Sequence, residues 1–381
     1  MIIIAPDKFK GSLTSPEVCN IIESGIRSVL PKIKIMKFPF ADGGDGFLEI
    51  MNYYKLHLTK KEIFIKDPLL KKSIKTKYLT ENNIAYIGTA DSSGLNLIVP
   101  ELRNPMNTST FGLGQVIKDA LDSNINEIYV GLGGSSTTDG GTGIAYALGY
   151  RFYDANNSEL QPIGKNLIKI KKIIKPQTGY NAKIYAVVDV QSSFYGPSGS
   201  ALVFAAQKGA SKRDIQILEE GMKNLAKVIN DNFDTCINSI PGSGAAGGAG
   251  GGLHVFANAQ IIDGTDFVRN ISGINDYWDQ CMVLITGEGK IDYQTELGKL
   301  SFKLASEALK HKAEIIAIAG LNELTKKKYS KLGFSKIYQL KPQKMSIEDS
   351  IKNTPKLLFE KSKKIANKLK RLHQSSSDTT F

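Results

Sequence analysis

A chain of 381 residues is too long for one ordinary domain, and 41% hydrophobic with 23% charged residues describes a folded globular protein with a sizeable core. The net charge of +12 comes mostly from scattered lysines, denser only at Lys361, Lys363, Lys364, Lys368, Lys370 and Arg371, and no arginine stripe or aromatic-interleaved basic patch argues for a nucleic-acid partner. No run of about 18 apolar residues exists to span a membrane, the opening stretch to Asp7 is too short for a secretory signal, and Cys19, Cys236 and Cys281 stand apart without metal or disulfide spacing, so a cytoplasmic protein with reduced thiols is expected.

In chain order, 2–5 reads as a buried strand, and Ser15-Pro16-Glu17 opens a helix with an N-cap, a first-turn proline and an early acid. Val18, Ile21, Ile22, Ile26 and Val29 give that helix its apolar stripe, and Pro31 stops it. A strand over 34–38 leads into Ala41-Asp42-Gly43-Gly44-Asp45-Gly46 and a helix through Leu48, Ile50 and Met51. Segments 58–65, 74–79 and 85–87 are β-rich; a helix follows near 115–121, then strands over 127–130 and 183–188, the latter ending at Asp189. A long polar helix follows Ala210, and 242–252 is either a phosphate nest or a helix whose glycines permit close packing. Strands over 282–286, 314–319 and 335–340 then alternate with helices over 298–311, 324–331 and 354–372, and 375–381 is expected to fray.

The alternation specifies an α/β protein: a flavodoxin-like, doubly wound parallel sheet in the order 2-1-3-4-5, interrupted by a second, inserted α/β domain. The expected division is 1–56 plus 278–381 around an insert of 57–277. In such a sheet a ligand crevice lies at the strand carboxyl ends where the order reverses, between the first strand and 282–286. Asp7, Lys8, Lys10 and Ser12 would meet Gly287, Glu288, Gly289, Lys290 and Asp292 there, with the insert closing over them. The plainer alternative is that Asp7 and Asp292 cap turns and the lysines are solvated.

The densest chemistry lies in Gly131-Leu132-Gly133-Gly134-Ser135-Ser136-Thr137-Thr138-Asp139-Gly140-Gly141, directly after a strand. Glycines bring main-chain N–H groups close to a ligand, and clustered hydroxyls suit phosphate or another oxyanion. Asp139 is either part of that cradle or a helix cap. Familiar templates fail. Gly298-Lys299-Leu300-Ser301 is an incomplete Walker A end, and Gly242-Ser243-Gly244-Ala245-Ala246-Gly247 follows Pro241 instead of a strand. The four histidines have no triad or metal context, and His254 reads as a satisfied core residue. Asp42 and Asp45 either ligate Mg²⁺ or shape a turn. Anion loops, spare aspartates and loop lysines without a nucleophile dyad are what phosphoryl transfer needs.

The motifs together resemble those of bacterial glycerate kinases of the two-domain α/β family without a P-loop. The resemblance rests on 5–12, 41–46, Arg103-Asn104-Pro105, the 131–141 loop, Gln207-Lys208-Gly209-Ala210, 244–248, 286–292, Gln294-Thr295 and Gly298-Lys299. It implies phosphorylation of D-glycerate by ATP with Mg²⁺, usually to 2-phosphoglycerate, with 3-phosphoglycerate left open, in organic-acid and glyoxylate-linked metabolism. Asp189 or Asp7 is then the base for the glycerate hydroxyl, and Lys8, Lys10 and Lys208 are cations for phosphates or carboxylate. Arg103 is a bidentate carboxylate clamp. Ser12, Gly133, Gly134, Ser135, Ser136, Thr137, Asp139, Gly244, Gly247, Gly287, Gly289 and Lys290 line substrate or phosphate, and Asp42, Asp45, Glu288 and Asp292 compete for Mg²⁺. Departures from the family pattern are Gln191-Ser192-Ser193-Phe194 after Asp189-Val190, Ala205-Ala206 for a usual Gly-Pro, and Thr138 for a usual Asn. A phosphatase of small phosphorylated acids and a non-catalytic metabolite sensor are the alternatives, and the sequence leaves monomer or homo-oligomer open.

Overall fold

The computed structural model describes residues 1–41, 43, 44, 46–177, 179–292 and 300–377, with side chains through Arg371. In chain order its strands are β1 (Ile2–Ile4), β2 (Ile35–Lys37), β3 (Thr59–Lys66), β4 (Ser73–Glu81), β5 (Ile84–Gly88), β6 (Glu127–Gly131), β7 (Arg151–Tyr153) and β8 (Lys172–Ile174). β9 (Lys183–Val188), β10 (Gln260–Asp263), β11 (Val283–Ile291), β12 (Glu314–Asn322) and β13 (Lys336–Gln339) complete them. The chain divides into two compact units, Met1–Ala41 with Val268–Phe381, and Asp42–Phe267.

The first unit holds a five-stranded sheet in the order β13-β12-β11-β1-β2, with every neighbouring pair parallel. Strands buried on both faces read as continuous apolar runs, and Ile2, Ile3, Ile4, Leu284, Ile285, Ile316 and Ile318 are all essentially inaccessible. One face packs Val18, Ile22 and Ile26 of helix Ser15–Arg27 with Leu358, Ile365 and Leu369 of helix Thr354–Ser377. Gly25 permits that approach, since a Cβ there would lie 2.6 Å from Ser362 Cβ. The first helix is capped one residue earlier than its sequence suggests. Glu17 accepts from the N–H and hydroxyl of Thr14, while the Ser15 hydroxyl donates to Pro6 O at 2.7 Å.

The second unit carries a six-stranded sheet in the order β10-β9-β6-β5-β4-β3, parallel from β10 to β5 and antiparallel at β4 and β3. Helices Phe111–Asp122, Thr142–Ala147 and Ala245–Ala257 supply Leu113, Ile117, Ile144 and Leu253 to the core over Ile128, Val130, Ile184 and Ala186. The long polar helix expected after Ala210 is Lys212–Phe233, whose Met222, Leu225 and Ile229 pack on Phe152 and Phe256. The two-stranded antiparallel sheet of β7 and β8, and the edge strand β10, carry no strong sequence signal of their own. Among the described residues no helix is long and apolar enough to cross a membrane.

Candidate active site

In the second unit the carboxyl ends of β6 and β9 lie against the main chain of Gly43 and Gly44. A Cβ on Gly43 would sit 2.5 Å from Val187 O, one on Gly131 would sit 2.6 Å from Gly43 O, and one on Gly133 would collide with Gly44 Cα. These glycines are required by close approach. Asp42 and Asp45, the expected Mg²⁺ ligands on either side of that pair, lie outside the described residues.

The loop after β6 is tied from behind. Gly134 takes φ +65° and its carbonyl accepts from Leu95 N–H at 2.9 Å. The N–H and hydroxyl of Ser136 both donate to Ser93 O, at 2.9 and 3.0 Å, and Thr108 Oγ1 donates to Ser136 O at 2.9 Å. Asp139 is fully buried. Its Oδ2 accepts from Thr110 N–H (2.7 Å), Thr110 Oγ1 (2.8 Å) and Gly143 N–H (3.1 Å), and its Oδ1 from Gly141 N–H at 3.2 Å. This is the capping arrangement, joining the starts of helices Thr142–Ala147 and Phe111–Asp122. Burial pushes the Asp139 carboxyl above its ordinary range, against the pull of the Thr110, Gly143 and Gly141 donors.

Lys208 lies under the same loop. It is 3% exposed, and its Nζ donates to Ser135 Oγ at 2.9 Å and to Thr137 O at 2.6 Å. Burial brings its ammonium down to about 7, with Asp139 pulling the other way. Gly209, at φ +95°, lets the turn press on Arg103 O, where a side chain would collide. Arg103 is half-buried, and its Nε donates to Ile98 O at 3.0 Å.

The glycine-rich run settles as both close packing and a bent turn. Ala246, Gly247 and Gly248 are left-handed inside helix Ala245–Ala257, Gly247 abuts Thr137 O, and Gly252 brings its backbone to Gly141. Gly140 N–H donates to Gly247 O and Gly244 N–H to Ser192 O, each at 3.0 Å. Around this contact the buried hydroxyls of Ser93, Thr137, Thr138, Ser192 and Ser243 have no hydrogen-bond partner among the described residues. Buried orphan hydroxyls are uncommon and call for a water or a ligand. Asp189 follows the last residue of β9 and is half-buried. The structure therefore gathers Ser135, Ser136, Thr137, Asp139, Lys208, Gly244 and Gly247, with Arg103 beside them through Gly209.

A separate cluster forms in the first unit, where the sheet order reverses between β1 and β11. Asp7 N–H donates to Gly287 O at 2.8 Å, Lys8 N–H to Asp7 Oδ1 at 2.7 Å, and Thr286 Oγ1 to Ala5 O at 2.8 Å. Gly289 faces the backbone of Lys10. Residues 287–291, expected as a loop, continue β11: Lys290 pairs with Leu321 and Ile291 with Asn322, because β12 runs on beside them. The Ser12 hydroxyl donates to Ile351 O at 2.8 Å. Lys290 Nζ lies 3.0 Å from Glu323 and 3.6 Å from the buried Asp292, and these partners hold its ammonium above the usual lysine range. Among the described residues no three His, Cys, Asp or Glu side chains assemble as a metal set.

The supporting hydroxyls Ser93, Thr108 and Thr110 escaped the sequence reading. Their signal was present in Thr108-Ser109-Thr110, a run of small polar residues directly before a helix, all fully buried.

The family model described as the glycerate kinase family matches residues 2–370. A glycerate kinase of Halalkalibacterium halodurans is 35% identical over 96% of this chain and 97% of its own length. A glycerate 2-kinase of Escherichia coli K12 is 34% identical over 84% of each chain. A crystal structure from Salmonella typhimurium LT2, assigned as glycerate kinase 2, superposes with a TM-score of 0.78 at 31% identity, covering 98% of this chain and 99% of that one.

Proposed function

This chain belongs to the glycerate kinase family, and from that premise we propose that it transfers the γ-phosphoryl group of ATP to D-glycerate, giving 2-phosphoglycerate and ADP. The 2-position is favoured by the likeness to the glycerate 2-kinase. The structural observation that carries the reading is the hydroxyl- and glycine-rich loop after β6, backed by the buried ammonium of Lys208, with buried hydroxyls nearby that have no partner among the described residues. Phosphoryl transfer asks for positioning and for stabilisation of charge on the transferring oxygens. Donors fixed in place before substrate arrives meet that need without reorganising.

In this reading Asp189 or Asp7 accepts the proton of the glycerate hydroxyl as that oxygen bonds to phosphorus and the bond to ADP breaks. Lys8 and Lys10 neutralise phosphate charge, and Arg103 holds the glycerate carboxylate. Lys208 acts from beneath the loop: Ser135 Oγ and the Thr137 carbonyl accept from its ammonium, which fixes the loop and leaves the Ser135 O–H free to donate to the anion. Mg²⁺, carried with the nucleotide, would neutralise its phosphates. Among the described residues no three carboxylates assemble as a cage for it. The five-stranded sheet is proposed to be flavodoxin-like, with the second unit inserted into it.

A coupled assay of D-glycerate-dependent ADP formation, with NMR of the product, tests the reading. Formation of 2-phosphoglycerate is expected. Phosphate release without ADP, or no turnover with D-glycerate, overturns it.

A further inference from the structure

A hollow of about 300 Å³ opens where β10, at the edge of its sheet, meets helix Ala245–Ala257. Its apolar walls include Val188, Ile240, Pro241 and Ile261, and its polar lining is Gln191, Gln260, His254 and Asp263. Among the described residues no lysine or arginine lines it. A small anionic hydroxy acid or a phosphate has neither a cation to meet there nor apolar surface to bury; a flat, uncharged ring with polar edges has a use for both features. His254 Nδ1 lies 2.9 Å from Ala259 O. A carbonyl only accepts, so Nδ1 carries the proton, and Nε2 of the neutral ring is an acceptor suited to an exocyclic amino group.

The hollow also adjoins the loop cluster along the chain. Val188 and Gln191 flank Asp189-Val190 in sequence, and Ile240-Pro241 lead directly into Gly242 and Gly244, whose N–H is bonded to Ser192 O. From Gly248 to His254 the helix rises about 9 Å, a span that a ribose and its phosphates can bridge toward Gly247 and Thr137. We propose that this hollow seats the heterocyclic base of a purine nucleoside triphosphate, the phosphate donor, and that His254 and Gln260 read its polar edge. The proposal rests on the kinase reading above.

Gln260 is exposed at the hollow, so Gln260→Trp fills the space without disturbing the core. The variant is expected to raise KM for ATP at least tenfold, with KM for D-glycerate within twofold of wild type. His254→Phe removes the acceptor and is expected to lower the preference for ATP over GTP severalfold, while His254→Gln restores most of it. Adenosine should inhibit wild type competitively against ATP, and Gln260→Trp should lose that inhibition. Folded variants with unchanged KM for ATP and unchanged purine preference overturn the proposal, as does non-competitive inhibition by adenosine, which would mark a separate effector site. Should wild type form no ADP from D-glycerate, the kinase reading fails, and the base site is judged by displacement of a fluorescent ATP analogue from wild type against Gln260→Trp: equal displacement overturns it.

Discussion

The two units assemble their loop clusters by different means. In the five-stranded sheet the order reverses between β1 and β11, so groups 281 positions apart in sequence share a hydrogen bond, Thr286 Oγ1 to Ala5 O. There Lys290 is 48% exposed beside an equally exposed Glu323, although the neighbouring Asp292 is buried. In the six-stranded sheet the strands lie in chain order without reversal, and the cluster is made by burial instead. Asp139 and Lys208 are withdrawn from solvent and answered by donors and acceptors of the surrounding loops. A charge kept in water contributes little to folding when paired, whereas a buried one is costly the moment a partner is removed.

The contrast breaks most readily at Asp139. Asp139→Ala strands two loop N–H groups, the N–H of Gly143 and a hydroxyl inside the protein, and is expected to cost about 3 kcal/mol or more in urea unfolding; a loss below about 1 kcal/mol would show that burial does not lock this loop. Asp189→Asn is expected to reduce turnover at least about a hundredfold, about 2.7 kcal/mol of barrier, with an unfolding midpoint near wild type. Near-normal turnover would remove Asp189 as the base.

Lys208 sharpens the contrast through pH. Its folded pKa of about 7 lies below the ordinary 10.5, so between those values the unfolded chain binds more protons. This residue therefore makes stability rise with pH across that window, by up to about 1.4 kcal/mol per pH unit. Lys208→Met should flatten that part of the slope, measured as urea midpoints at several pH values; an unchanged slope would place the titration elsewhere. The smallest effect belongs to the exposed pair. Lys290→Ala should leave the urea unfolding midpoint close to wild type, and a loss rivalling that of Asp139→Ala would erase the distinction between the units.

Much of the framework was legible because parallel strands buried on both faces leave uninterrupted apolar runs, as at Ile2–Ile4 and 314–319. The helix of 15–27 was legible from its stripe and its first-turn proline, although the cap moved to Thr14 through the Glu17 carboxylate. The extension of β11 through Gly287 and Gly289 was not legible, since glycines after a strand look like a loop until a neighbouring strand supplies the ladder. Asp139 fits two readings in the sequence, anion cradle and cap. Only the positions of Thr110, Gly141 and Gly143 select the cap.

By itself the sequence determined most of the element types, through periodicity and capping residues, and its ordered motifs carried the resemblance to the family, because these are local properties of a chain. The tertiary structure alone decided which charges are withdrawn from water. Lys208 reads in sequence as one loop lysine among many. It becomes an internal prop with a lowered pKa because Gly209 turns it beneath Ser135 and Thr137, and desolvation depends on what surrounds a group from every direction, which no linear spacing encodes.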